Sequence, residues 1–162
     1  MSITTKIITI DKYKELKELK EQNFFYGKKV VFTNGCFDIL HSGHVLYLEE
    51  ARSLGDILIL GLNSDVSVKK LKGNDRPINN QIDRAIVLAG LASIDYIIIF
   101  AEETPLKLIE TIVPDVLVKG GDWAIKDIIG SDIVLSNGGK VYSLMFKEGN
   151  SSTNIIEKIR GM

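Results

Sequence analysis

Apolar residues along this chain fall into two alternating kinds of run. The first is short, continuous and rich in β-branched residues: Lys29–Thr33, Asp56–Leu62, Tyr96–Phe100, Asp115–Val118 and Lys140–Phe146. The second repeats every three to four residues, as a helix with one buried face must. Val45, Leu48, Ala51 and Leu54 share such a face, and so do Tyr13, Leu16 and Leu19 in a segment that Asp11 can cap and that runs to about Phe25. Ser64 or Asp65 can open a short helix. Asn79 or Asn80 opens the next, with Ile82, Ile86 or Val87, and Leu88 or Ala89 inward. Thr104-Pro105 starts a further helix and Val113-Pro114 closes it. A last helix begins in Ser151–Thr153 with Ile155, Ile156 and Ile159 inward. Asn137-Gly138-Gly139 reads as a turn, residues 124–136 as a weaker helix or turn region, and residues 1–10 as a β-prone segment that either adds a strand or trails.

Strands that are apolar without alternation are buried on both faces, which calls for a parallel sheet with helices on each side. With right-handed crossovers the prediction is a single α/β domain, a Rossmann-like doubly wound sheet of five parallel strands over residues 29–162, preceded by a helical extension over 1–28. Ligands of such sheets bind beyond the C-terminal strand ends, at the point where strand order reverses. The polar, glycine-bearing segments 34–44, 63–65, 119–123 and 149–153 are therefore expected to converge.

Composition narrows the function classes. The 162 residues carry 20 basic and 21 acidic groups, a net charge of −1, so no global field draws nucleic acid or an anionic membrane. Any phosphate site must be local. The one cysteine, Cys36, excludes an intramolecular disulfide and fits a reducing, cytoplasmic setting. No apolar run reaches the ~20 residues of a membrane span. Apolar residues near 91–100 would suit a homodimer if exposed.

The chemistry gathers in Phe32–His44, which holds both histidines of the chain, His41 and His44, around Gly43. The helix start after Gly43 offers free N–H groups and the positive end of a dipole to an anion. Two imidazoles three residues apart can donate to the same phosphate chain, and Gly35 and Gly43 let backbone approach it. Two other readings use the same residues. The histidines can simply satisfy local hydrogen bonds, or join Asp38 in a metal site, although no further histidine or cysteine pair completes a zinc sphere. Cys36 reads as a small buried residue more readily than as a nucleophile. Gly138-Gly139-Lys140 leads into a strand and so is no phosphate-binding P-loop, and no G-x-G-x-x-G follows the first strand.

Asn34-Gly35-Cys36-Phe37-Asp38 with His41-Ser42-Gly43-His44 resembles the signature of the HxGH nucleotidyltransferase superfamily, in its cytidylyltransferase-like branch. Gly149–Thr153 resembles that family's Ser/Thr-rich second motif, and Val118–Trp123 its nucleobase-side loop. The similarity runs from about Lys29 to Ile159. Within the branch, Asn63-Ser64-Asp65, Leu71–Pro77, Leu117–Asp122 and Ser152–Ile159 resemble the D-glycero-β-D-manno-heptose 1-phosphate adenylyltransferases, which serve lipopolysaccharide core synthesis and are often fused to a sugar kinase. Beginning shortly before the motif, the chain looks like a free-standing version.

The resemblance implies ATP and a sugar 1-phosphate as substrates, with Mg²⁺ accompanying ATP and no metal held by protein side chains. It implies that His41 and His44 are catalytic. Nucleotide contacts would come from Asn34, Gly35, Cys36, Phe37, Gly43, Asn63, Asp65, Lys119, Gly120, Asp122, Ser151, Ser152 and Thr153. Phosphate contacts would come from Asp38, Lys70, Lys72, Arg76 and Arg84, and Trp123 either stacks on the base or only packs. The rival readings are a glycerol-3-phosphate cytidylyltransferase-like enzyme and a non-catalytic nucleotide sensor.

Overall fold

A computed structural model describes residues 3–8, 27–145 and 151–162. The helix expected over 11–25 and the residues Gly149 and Asn150 lie outside the described residues.

All five expected strands form. They are β2 (Val30–Gly35), β3 (Ile57–Asn63), β4 (Tyr96–Phe100), β5 (Val116–Gly120) and β6 (Lys140–Leu144). A sixth, two-residue strand, β1 (Ile7–Ile8), pairs with Ile97 and Ile98 of β4, so part of the expected extension belongs to the sheet. Every pairing is parallel, in the order β1-β4-β3-β2-β5-β6. From β2 the chain winds outward through β3 and β4, then returns to β2's other side through β5 and β6. The strand order reverses between β2 and β5.

Among the described residues, six α-helices cover the two faces: α1 (Ser42–Ser53), α2 (Asp65–Lys72), α3 (Gln81–Ala89), α4 (Leu106–Ile112), α5 (Ser131–Ser136) and α6 (Ser152–Arg160). Alternate strand residues enter two separate cores. On one face Val31, Leu58, Leu60 and Val118 pack with Tyr47, Leu48 and Ala51 of α1 and Ala85, Leu88 and Ala89 of α3. On the other, Phe32, Ile59 and Leu117 pack with Leu108, Ile109 and Ile112 of α4 and Val134 of α5. At the strands' entry end, carboxylates take up N–H groups: Asp56 from Lys29 at 2.7 Å, Asp115 from Val30 at 2.7 Å and Asp95 from Leu58 at 2.8 Å.

Three expectations about faces are corrected. Leu88 and Ala89 of α3 point inward as expected, but Ile82, Ile86 and Val87 are exposed and the helix turns Arg84 and Ala85 inward in their place. Ile159 of α6 is exposed as well. Of the apolar residues near 91–100, Ile94 and Ile97–Phe100 are buried as β4 and its approach, Leu91 and Tyr96 are half-buried, and Ala92 is exposed.

Candidate active site

β2 ends in Asn34-Gly35, and the chain then reverses sharply into α1. Phe37 takes φ +44°, a left-handed conformation uncommon for a bulky residue. Its ring lies against Gly35 so closely that a Cβ there would stand 2.8 Å from it, which is why glycine occupies that position. His41 is the N-cap residue of α1 in extended conformation and caps nothing with its side chain, so the first N–H groups of the helix stay available. Across the sheet edge Ser151 caps α6 by accepting from the Asn154 N–H at 3.0 Å. Ser152 Oγ donates to the Ile39 carbonyl at 3.0 Å, which fastens the α6 start to the loop before α1.

Between these two helix starts lies a cleft of about 280 Å³, at the strand-order reversal where an open α/β sheet binds its ligand. It is lined by Asn34–Asp38, His41, His44, Tyr47, Lys72, Lys119, Gly120 and Ser151–Thr153. Two helix N-termini, two lysines and two imidazoles surround it with donors and positive potential, the environment of a polyphosphate. The His41 and His44 rings stack with centroids 3.8 Å apart, and the Phe37 ring lies 5.0 Å from His44. Nδ1 of each histidine is buried with no hydrogen-bond partner among the described residues. Burial, then the neighbouring His41 and Lys72, depress His44 to about 4, and burial depresses His41 too. Both imidazoles are neutral at physiological pH. Burial also lowers Lys119 and raises the Cys36 thiol, so Cys36 is a poor nucleophile here.

Tyr47, which sequence reasoning did not single out, is buried at the cleft floor, 2.6 Å from Thr33 Oγ1. Its helical spacing from Gly43 and Ala51 was the available signal.

Several expected contacts go elsewhere. Asn63 donates to Ser67 Oγ at 2.9 Å inside the fold. Asp65 accepts from Arg84 Nη2 at 2.8 Å. Arg84, only 2% exposed, also donates to the carbonyls of Cys36 (2.6 Å) and Asn79 (3.0 Å), so its guanidinium is taken up by protein acceptors. Lys70 points out toward Glu103, 4.0 Å away, and Asp122 is exposed and off the cleft lining. Gly43 is buried in the first turn of α1. Asp38 borders the cleft, but its oxygens accept from Arg76 Nε (2.6 Å) and the N–H groups of Ile78 (2.8 Å) and Asn79 (3.1 Å). Arg76 is thereby held beside Asp38, away from the cleft lining. Trp123 donates to the Gly120 carbonyl at 3.1 Å and roofs a second cavity of about 110 Å³, which shares Asn34 and Lys119 with the cleft.

Among the described residues, no cluster of histidine, cysteine, aspartate and glutamate could hold a metal ion, and no helix is long and apolar enough to cross a membrane.

The sheet order, the glycine-bearing turn after β2 and the paired helix starts define a nucleotidyltransferase domain. The cytidylyltransferase-like family model matches residues 32–158. The chain belongs to the cytidylyltransferase-like family. It is 58% identical over 151 residues to the bifunctional protein HldE of Aliarcobacter butzleri, covering 93% of this chain and 31% of that protein. To HldE of Campylobacter concisus it is 59% identical, covering 92% of this chain and 31% of the relative. The chain thus spans about a third of the length of these relatives. Among solved structures, the lipopolysaccharide core biosynthesis protein of Thermoplasma volcanium superposes with a TM-score of 0.61 at 27% identity, over 76% of this chain and all of that one. The pantoate-beta-alanine ligase of Francisella tularensis, 14% identical with a TM-score of 0.61 over 96% of this chain and 78% of that one, shares the fold.

Proposed function

We propose that this domain transfers the adenylyl group of ATP to D-glycero-β-D-manno-heptose 1-phosphate, giving ADP-heptose and pyrophosphate for lipopolysaccharide core synthesis in the cytoplasm. The observation that carries the reading is the single cleft in which the starts of α1 and α6 meet around His41 and His44. The HldE relatives and the similarity to the lipopolysaccharide core biosynthesis protein of Thermoplasma volcanium support the choice of acceptor.

The acceptor's ionised phosphate oxygen is itself the nucleophile, so the protein needs no strong base. That oxygen attacks the α-phosphorus of ATP, the bond to the bridging oxygen of the β-phosphate breaks, and pyrophosphate departs with the pair of electrons. The protein's part is positioning and charge stabilisation. His44, and His41 beside it, donate neutral N–H groups to the phosphate oxygens as charge builds there. Lys72 and Lys119 supply cationic charge, and the free N–H groups at Ser152 and Thr153 hold further oxygens. Mg²⁺ arrives on the triphosphate. Asp38, the carboxylate lining the cleft, already serves Arg76 and two backbone N–H groups, so the described residues offer no free carboxylate to a metal there.

Pyrophosphate release with Mg²⁺, from ATP or CTP, across a panel of sugar and alcohol phosphates tests the reading. Turnover with ATP and the heptose phosphate alone supports it. Turnover with CTP and glycerol 3-phosphate, or no turnover across the panel, overturns it.

A further inference from the structure

The depressed, unpartnered imidazole of His44 raises a question of mechanics: what orients it? A histidine that acts on a substrate is ordinarily fixed by a hydrogen bond at its other ring nitrogen. Here Nδ1 of His44 has no such partner among the described residues. The ring is instead gripped between two others, His41 stacked at 3.8 Å and Phe37 tilted by 55° at 5.0 Å.

Phe37 can grip only if its own backbone is held, since a bulky residue at φ +44° persists where its surroundings over-determine it. Both flanking residues are pinned from inside the protein. Before Phe37, the Cys36 carbonyl accepts from Arg84 Nη1 at 2.6 Å. After it, Asp38 is bound through its carboxylate to Arg76 Nε and the N–H groups of Ile78 and Asn79, and through its carbonyl to Asn79 Nδ2 at 3.0 Å. Arg84 closes the frame by donating to the Asn79 carbonyl and Asp65. Two charged side chains are thus buried at the back of the turn. Burying charge is weak evidence for stability in itself, and its attested use is to impose one arrangement.

We infer that Asp38 and Arg84 are positioning residues that set the His44 imidazole through the Cys36–Asp38 turn and the Phe37 ring. Their charged groups are bound by other groups of the protein. This rests on the proposed role of His44 at the transferred phosphate.

The test combines kinetics with a readout that needs no turnover. Asp38→Asn, Arg84→Lys and Phe37→Leu are made alone and together with His44→Ala, and each is checked for folding by circular dichroism. Alone, each is expected to lower kcat by up to ~10²-fold while nucleotide affinity stays within a few-fold. In the His44→Ala background each is expected to cost almost nothing more, because the ring it acts through is gone. With only two histidines in the chain, the His44 ring resonances are readily followed by NMR. Each variant is expected to move them and to bring the His44 titration up from about 4 toward its ordinary value. Full additivity with His44→Ala, or unmoved ring resonances, overturns the inference. Undiminished turnover of His44→Ala alone instead overturns the role of His44, and the NMR arm still decides whether Asp38 and Arg84 position it. If either charged variant fails to fold, Phe37→Leu, which leaves the polar frame intact, carries both readouts.

Discussion

The imidazoles of His41 and His44 lie stacked, 3.8 Å between centroids and 25° between planes, at the mouth of the α1 helix. Two cations cannot share that spacing beside Lys72 and a helix N-terminus without large repulsion. The pair is therefore neutral when the cleft holds only water, and it becomes a place for anionic charge.

Stability and binding should both report this. His44 titrates at about 4 in the folded chain against about 6.5 in the unfolded one. Between those values the unfolded state binds more protons, so stability rises with pH from about 4 to 6.5 and levels off above. Denaturant melts across that range should show this slope, and His44→Ala should flatten it. A triphosphate set against the ring favours its charged form. Nucleotide binding near pH 5.5 should then take up protons, measurable by calorimetry in buffers of different ionisation enthalpy, and His44→Ala should abolish most of that uptake.

Lys72 contributes to the depression of His44 and borders the same cleft. Lys72→Gln should raise the His44 titration and weaken nucleotide binding by about tenfold, equivalent to ~1.4 kcal/mol. Lys70→Gln, two residues earlier and facing outward, should change neither. Ring NMR and equilibrium binding on the two variants make the comparison.

Much of this arrangement is readable from sequence, for reasons that differ by level. Continuous apolar runs such as Tyr96–Phe100, too short for a helix, read as strands buried on both faces, so the parallel sheet follows from pattern while its strand order does not. Segments 34–44, 119–120 and 151–153 converge because that topology leaves them no other edge. Helix faces are harder to read. α3 carries apolar residues around most of its circumference, and the inward face is decided by Arg84, whose carbonyl partners at Cys36 and Asn79 leave no mark in a sequence pattern. For the same reason Arg84 and Asp38 read as phosphate ligands, whereas each spends its donors or acceptors on other groups of the protein. Asn63 and Asp65 were expected in the cleft by strand order. Asn63 bonds Ser67 and Asp65 bonds Arg84 instead, and the far end of α2, at Lys72, reaches the cleft in their place.

Tyr47 joins fold and cleft. Its hydroxyl and that of Thr33 form a buried pair, and removing the Tyr47 hydroxyl takes that partner from Thr33 Oγ1. Tyr47→Phe should destabilise the domain by about 1–3 kcal/mol, and thermal unfolding would show a fall of several degrees. Thr33→Val together with Tyr47→Phe should recover part of the loss, since neither hydroxyl is then left unpaired.

Gly35 sets the most stringent geometric condition on the turn. A methyl group placed there would stand 2.8 Å from Phe37 Cε2 and 3.2 Å from Cδ2, inside van der Waals contact. The Phe37 backbone is pinned on both sides, so its ring must shift, and any shift changes its contact with His44. Gly35→Ala should therefore cost ~1–3 kcal/mol of stability as overpacking and, beyond that, reduce kcat at temperatures where the variant is fully folded. The separation of the two effects is the point of the measurement. Gly35→Ala combined with Phe37→Leu relieves the clash by shortening the ring, so stability should return while turnover stays low, because His44 has lost the surface that orients it.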